Sequence, residues 1–209
     1  MATSVPAIQP EPADTQPRNL WFTARLGAGA TAFFYLAFVF AYFYLRSIDT
    51  KAHWKIGPVH PSSALGIAIV VAVALSAAVA RAGRAQRVRA GALAIVLGLV
   101  AVALQCVEYT TVDFGPASGG YASVFFGWTA LYSIMVLVAM YWLEVQVATV
   151  ARAPRGSAVE AEHSAGGYEE ARGSAADAEL SSAGYEAATF YWTFLAGIGI
   201  LEWVILYLL

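Results

Sequence analysis

The side chains that could do chemistry in this sequence are few, and most are embedded in apolar runs. Glu108, Glu144 and Glu202 are the acidic residues that fall in or near those runs, with Gln105 and Thr31 as uncharged companions. An ionisable group inside a membrane is expensive, which makes each a functional candidate by default. Gln105 and Glu108 are three apart and share a face if the segment is helical, and Tyr109 follows directly. Their chemistry would be that of a proton carrier, of a hydrogen-bonded strut, or of a solvated helix end. A carboxylate near a helix C-terminus opposes the macrodipole, so Glu108 calls for a specific partner. Gln105, one turn back, can donate to it. Tyr109 or an arginine of a neighbouring subunit could complete the site. Glu202 stands seven residues before Leu209, roughly 10 Å along a helix. Glu144 sits near the end of its run and can reach water.

Other chemistry finds little support. The three histidines, His53, His60 and His163, lie outside the apolar runs. Haem and copper centres within a membrane bundle need histidine or sulfur ligands projecting from the helices. His53 and His60, with Asp49, could take an adventitious metal or simply be solvated. Cys106 is the one cysteine, so it builds no disulfide framework, and a small buried side chain is expected there. Gly-rich phosphate loops and metal-spaced His/Cys clusters are missing from the sequence. No site in this chain is expected to be catalytic, cofactor-binding or metal-binding, and no nucleic-acid partner is expected.

The elements that must carry these residues are membrane spans. Of the residues, 59% are hydrophobic and 12% charged, against about 45–50% and about 25% in a soluble domain. The apolar residues form blocks over 20–45, 63–80, 90–109, 121–148 and 188–209. Each is near the roughly 20 residues that a bilayer core requires. Backbone polar groups in lipid must pair within their own segment, so the blocks are helices. The expected fold is an all-α integral membrane protein, one bundle of five transmembrane helices over 20–209. Residues 1–19, rich in Pro, Ala and acidic residues, lack a signal peptide's basic start and apolar core and are expected to form a disordered tail.

Basic residues set the orientation. Arg18, Arg25, Arg81, Arg84, Arg87, Arg89, Arg152, Arg155 and Arg172 fall on one side, and Arg46, Lys51 and Lys55 on the other. The N-terminus is therefore expected in the cytoplasm and the C-terminus outside. The tight turn with Arg81, Arg84, Arg87 and Arg89 serves as a topology signal or holds anionic lipid head groups. Trp21, Trp54, Trp128, Trp142 and Trp192 lie near the expected membrane edges, where tryptophans anchor helices. The stretch 152–187 is rich in Ala, Ser, Gly and Glu and contains a duplication, Arg155-Gly-Ser-Ala recurring as Arg172-Gly-Ser-Ala and Gly167-Tyr168-Glu169 as Gly184-Tyr185-Glu186. It reads as a disordered low-complexity loop on the cytoplasmic side, or as two docking motifs built on Tyr168 and Tyr185.

Several segments carry a family resemblance. Leu26-Gly27 through Ala41-Tyr42-Phe43-Tyr44-Leu45-Arg46-Ser47 resembles the first conserved helix of haem-copper oxidase subunit III. Leu104-Gln105-Cys106-Val107-Glu108-Tyr109 is similar to that family's Q-x-x-E-Y helix end. Gly119-Gly120-Tyr121-Ala122-Ser123-Val124-Phe125-Phe126 is similar to its next helix entry, and Thr129 matches the threonine that follows. Tyr191-Trp192 and Leu206-Tyr207-Leu208 resemble its final helix. The sequence departs from the family where Thr31 stands for a carboxylate, Tyr132 and Met135 for histidines, and Thr193 for the histidine after Trp192. The resemblance implies the short five-helix form, in a divergent member. It further implies a non-catalytic subunit of a cytochrome c or quinol oxidase in the bacterial plasma membrane. Such a subunit would support assembly and lipid binding, with haem and copper in its partners, among them catalytic subunit I. Small residues such as Gly27, Gly29, Gly91 and Gly98 suit close helix packing. The alternatives are the related accessory subunit of a nitric oxide reductase and a small membrane transport protein. Against the last stand the lack of inverted repeats and of proline inside any apolar block.

Overall fold

The computed structural model describes residues 15–50, 53–55, 60–152 and 167–209, and at 84, 85 and 167–175 the backbone alone. These residues form five long apolar helices, each with a window able to cross a membrane. They are α1 (Thr15–Ser47), α2 (Ser63–Ala82), α3 (Arg87–Thr111), α4 (Gly120–Arg152) and α5 (Gly167–Trp203). A 3-10 turn, Gly83–Gln86, joins α2 to α3, and a π-helical turn, Val204–Leu208, continues α5. At 1.5 Å per residue even α2, the shortest, is about 30 Å long and matches a hydrocarbon core.

Helix ends follow local chemistry. The Ser62 hydroxyl caps α2 by accepting the Leu65 N–H. Pro17 lies in the first turn of α1, where its missing N–H costs nothing. α1 therefore starts at Thr15, inside the expected tail, while residues 1–14 lie outside the described residues. α4 starts beside Gly119, whose φ of 124° is open to glycine and strained for other residues. The Asp49 carboxylate accepts the His53 and Trp54 N–H groups at 2.8 and 3.0 Å, and the Trp54 carbonyl accepts the Tyr121 N–H at 2.9 Å. That arrangement seats Trp54 edge-on between Tyr42 and Tyr121.

α5 touches α1, α2 and α4, and α3 packs against α2 and α4. Side-chain hydrogen bonds reinforce the contacts. The Ser76 hydroxyl on α2 donates to the Ala94 carbonyl on α3 at 2.6 Å and accepts the Trp192 indole N–H from α5 at 2.9 Å. Against α1, Thr31 and Tyr191 pair through their hydroxyls at 3.0 Å.

Several features differ from the sequence expectation. α5 begins at Gly167 rather than near 188, because its Ala- and Glu-rich start favours helix. Tyr185 is 1% exposed and donates to the Ala80 carbonyl at 3.0 Å, so it is an internal strut and no free docking motif. The first copy of the duplication (155–164), His163 and the Tyr168 side chain lie outside the described residues. Trp54, Trp128 and Trp192 are interior residues rather than interfacial anchors, Trp128 packing on Tyr35 and Phe38. Cys106 is exposed, not buried, because the buried stripe of α3 runs through Gly98, Ala101, Gln105 and Glu108.

Gly98 gives a direct test of this packing. A Cβ there would stand 2.8 Å from the Met140 sulfur and 3.1 Å from the Trp192 ring, whereas one at Gly29 meets nothing within 4 Å. Gly98→Leu should lower stability by about 1–3 kcal/mol and Gly29→Leu by much less, measured by thermal unfolding in detergent. Equal losses would contradict the packing.

Candidate functional site

The buried polar residues of the bundle gather where α3 ends. Glu108 is fully buried on the inward stripe of α3. Gln105, one turn back, donates its Nε2–H to Glu108 Oε2 at 3.0 Å, as their spacing predicts. The second donor is Tyr207, whose hydroxyl lies 2.7 Å from both carboxylate oxygens. Tyr207 reaches Glu108 from the π-helical turn Val204–Leu208. That turn is fixed by Tyr121 of α4, whose hydroxyl donates to the Leu206 carbonyl at 2.6 Å, and by Arg46 of α1, which donates to the Leu209 carbonyl at 2.9 Å. Three helices, α1, α3 and α4, thus converge on the end of the chain that carries the partner of Glu108.

Tyr109 takes another course. Its hydroxyl lies 2.6 Å from the Thr129 hydroxyl, which itself donates to the Phe125 carbonyl at 2.7 Å. With the threonine proton used there, Tyr109 is the donor, and it ties α3 to α4 instead of completing the Glu108 site. Glu202 is 4% exposed, and neither of its carboxylate oxygens bonds a protein group. Glu144 is exposed. Tyr132 donates to the Leu195 carbonyl at 3.2 Å, and Thr193 donates to the Thr189 carbonyl at 2.8 Å.

The arginine-rich turn divides. Arg81 and Arg89 are exposed, whereas Arg87 donates to the Ser182 hydroxyl at 2.8 Å, and the Arg84 side chain lies outside the described residues. His53 is exposed, and both Asp49 oxygens accept backbone N–H groups. Among the described residues no three of His, Cys, Asp and Glu gather as a metal site would require. The Glu108 arrangement clamps helices: a buried carboxyl group held by an amide and a phenol.

Sequence reasoning missed Tyr207 and Tyr121. The available signal was a phenol inside an apolar stretch, which must find a partner when buried.

A family model described as cytochrome c oxidase subunit III matches residues 30–171. The chain belongs to the cytochrome c oxidase subunit III family. The match runs from within α1 through α4 to the start of α5, so it includes Gln105, Glu108 and Tyr109 and stops short of Glu202 and Tyr207. Subunits of this family are non-catalytic components of cytochrome oxidase, carry no metal centre of their own and associate with the oxidase complex. No curated protein matches the chain significantly.

Removing either half of the Glu108–Tyr207 pair leaves a buried polar group without its partner, at a cost of about 1–3 kcal/mol. Glu108→Ala and Tyr207→Phe should each lower the thermal stability of the purified subunit by that order, and Glu108→Gln by less. A Glu108→Ala subunit as stable as the parent would refute the clamp.

Proposed function

We propose that this chain is the non-catalytic subunit III of a haem-copper terminal oxidase of aerobic respiration. In this reading it resides in a bacterial plasma membrane and supports assembly, lipid binding and stability of catalytic subunit I, which holds haem and copper with the other partners. The family match over residues 30–171 carries the reading. The use of the polar interior supports it. Glu108 is occupied by two donors from its own chain, and Tyr109, Tyr121 and Tyr185 each spend their proton on another helix. Such bonds stiffen a bundle, and a stiff bundle is what a supporting subunit offers its neighbour. The exposed Arg81 and Arg89 are the residues we assign to anionic lipid head groups, with Arg84 on the same turn.

The orientation belongs to the same proposal. Nine of the twelve Lys and Arg residues fall on the side of the N-terminus, which places that side in the cytoplasm. Glu108 then lies toward the outer face, far from the side on which an oxidase takes up protons.

Purification through a tag on this chain in mild detergent should bring down a larger membrane subunit and a haem absorption spectrum. The chain isolated from its partners should show neither haem nor copper. Stoichiometric haem on the isolated chain would overturn the reading. In a Cys106→Ser background, Ala117→Cys should react with an impermeant thiol reagent on intact cells and Asp177→Cys should be shielded. The reverse pattern would invert the topology. Protons pumped per electron should be unchanged in Glu108→Gln complexes. A lower ratio with intact assembly would make this glutamate part of a proton path.

A further inference from the structure

Beside the Glu108 clamp, between α2, α3, α4 and α5, lies a cavity of about 20 Å³ whose walls include Gln105, Thr129, Tyr132, Glu202, Trp203 and Tyr207. Its hydrogen-bonding character follows from where the protons are. The hydroxyl of Thr129 donates to the Phe125 carbonyl, that of Tyr132 to the Leu195 carbonyl and that of Tyr207 to Glu108. A hydroxyl whose proton is engaged can only accept from anything else. Two further groups on these walls are buried with no protein partner: both carboxylate oxygens of Glu202 and the indole N–H of Trp203. The indole Cδ1, next to Nε1, packs over Gly66, another wall residue. The cavity thus combines a surplus of oxygen lone pairs with one N–H donor.

A buried polar group left unpaired costs about 1–3 kcal/mol, more when charged, so these orphans call for a ligand. Size restricts it. A water needs about 10–15 Å³ of such space, and this cavity offers room for one. We propose that the cavity is a binding site for a single water molecule, which donates to Glu202, accepts from Trp203 and joins Glu202 to the Glu108 cluster through Tyr207. A water, which can accept as well as donate, satisfies the Trp203 N–H, whereas a metal cation would leave that donor unpaired. The bound water makes the two intramembrane glutamates members of one hydrogen-bonded network that joins α3 to α5. The site is built from this chain's own residues and does not depend on the identity of its partners.

The test is cryo-electron microscopy, at water-resolving resolution, of the chain purified with the partners that accompany it. Density at hydrogen-bond distance from Glu202 and Trp203 is expected in the parent and in Glu202→Gln, which preserves shape and polarity. Glu202→Leu should lose it. Should Glu202→Leu fail to assemble, Trp203→Phe removes one bond to the water and should weaken the density relative to neighbouring ordered waters. An empty cavity in the parent would overturn the proposal. So would unchanged density in Trp203→Phe, or density at metal–oxygen distance that disappears when sodium is replaced by potassium.

Discussion

A membrane interior offers no solvent to a stranded polar group, and that constraint organises this bundle around Glu108. A buried carboxylate must be met by donors from its own protein or its ligands. Gln105 supplies one from the same helix at almost no topological cost. Tyr207 supplies the other from the opposite end of the sequence, and so fixes where α5 must end relative to α3. The consequences spread outward. The π-helical turn that carries Tyr207 is itself held by Tyr121 and Arg46, which draws α4 and α1 to the same end of the bundle. Deeper along the helices, Ser76 and Trp192 repeat the device across α2, α3 and α5. Apolar contact alone drives helices together weakly in lipid, so such bonds and the close packing of small residues carry the specificity.

The existence of five helices was legible because long apolar blocks in lipid admit one backbone structure. Their ends were less so. The start of α5 lies in an Ala- and Glu-rich stretch whose composition suits both a solvated loop and a helix. Helix propensity carries it back to Gly167, and the bond from Tyr185 to a carbonyl on α2, which turns this helix face inward, is a tertiary fact absent from the sequence. Tryptophan misled for a related reason. Its position near a block's end fits an interfacial anchor, yet Trp128 and Trp192 turn inward onto aromatic and hydroxyl partners. Cys106 was misplaced because helix phase, not residue type, sets which side of α3 faces the core.

Half of the Glu108 site could be read directly. The three-residue spacing of Gln105 and Glu108 is a local property of one helix, and the structure places the two side chains in contact. Tyr207 could not be paired with Glu108 from spacing, because ninety-nine positions separate them. The adjacent Tyr109 was the nearer candidate and is committed to Thr129 instead. Adjacent residues on a helix point about 100° apart, which is why proximity in sequence was a poor guide.

For a subunit of the cytochrome c oxidase subunit III family, a clamp of this kind fits a supporting part better than a reactive one. In such a clamp Glu108 and Tyr207 act as one unit in holding the bundle together. A double-mutant cycle of Glu108→Ala and Tyr207→Phe, read as the thermal stability of the purified subunit, measures that directly. The clamp predicts a coupling energy of at least about 0.5 kcal/mol, the double variant being less destabilised than the sum of the single ones. Strictly additive losses would show that the two side chains stabilise the bundle independently, and would contradict the account.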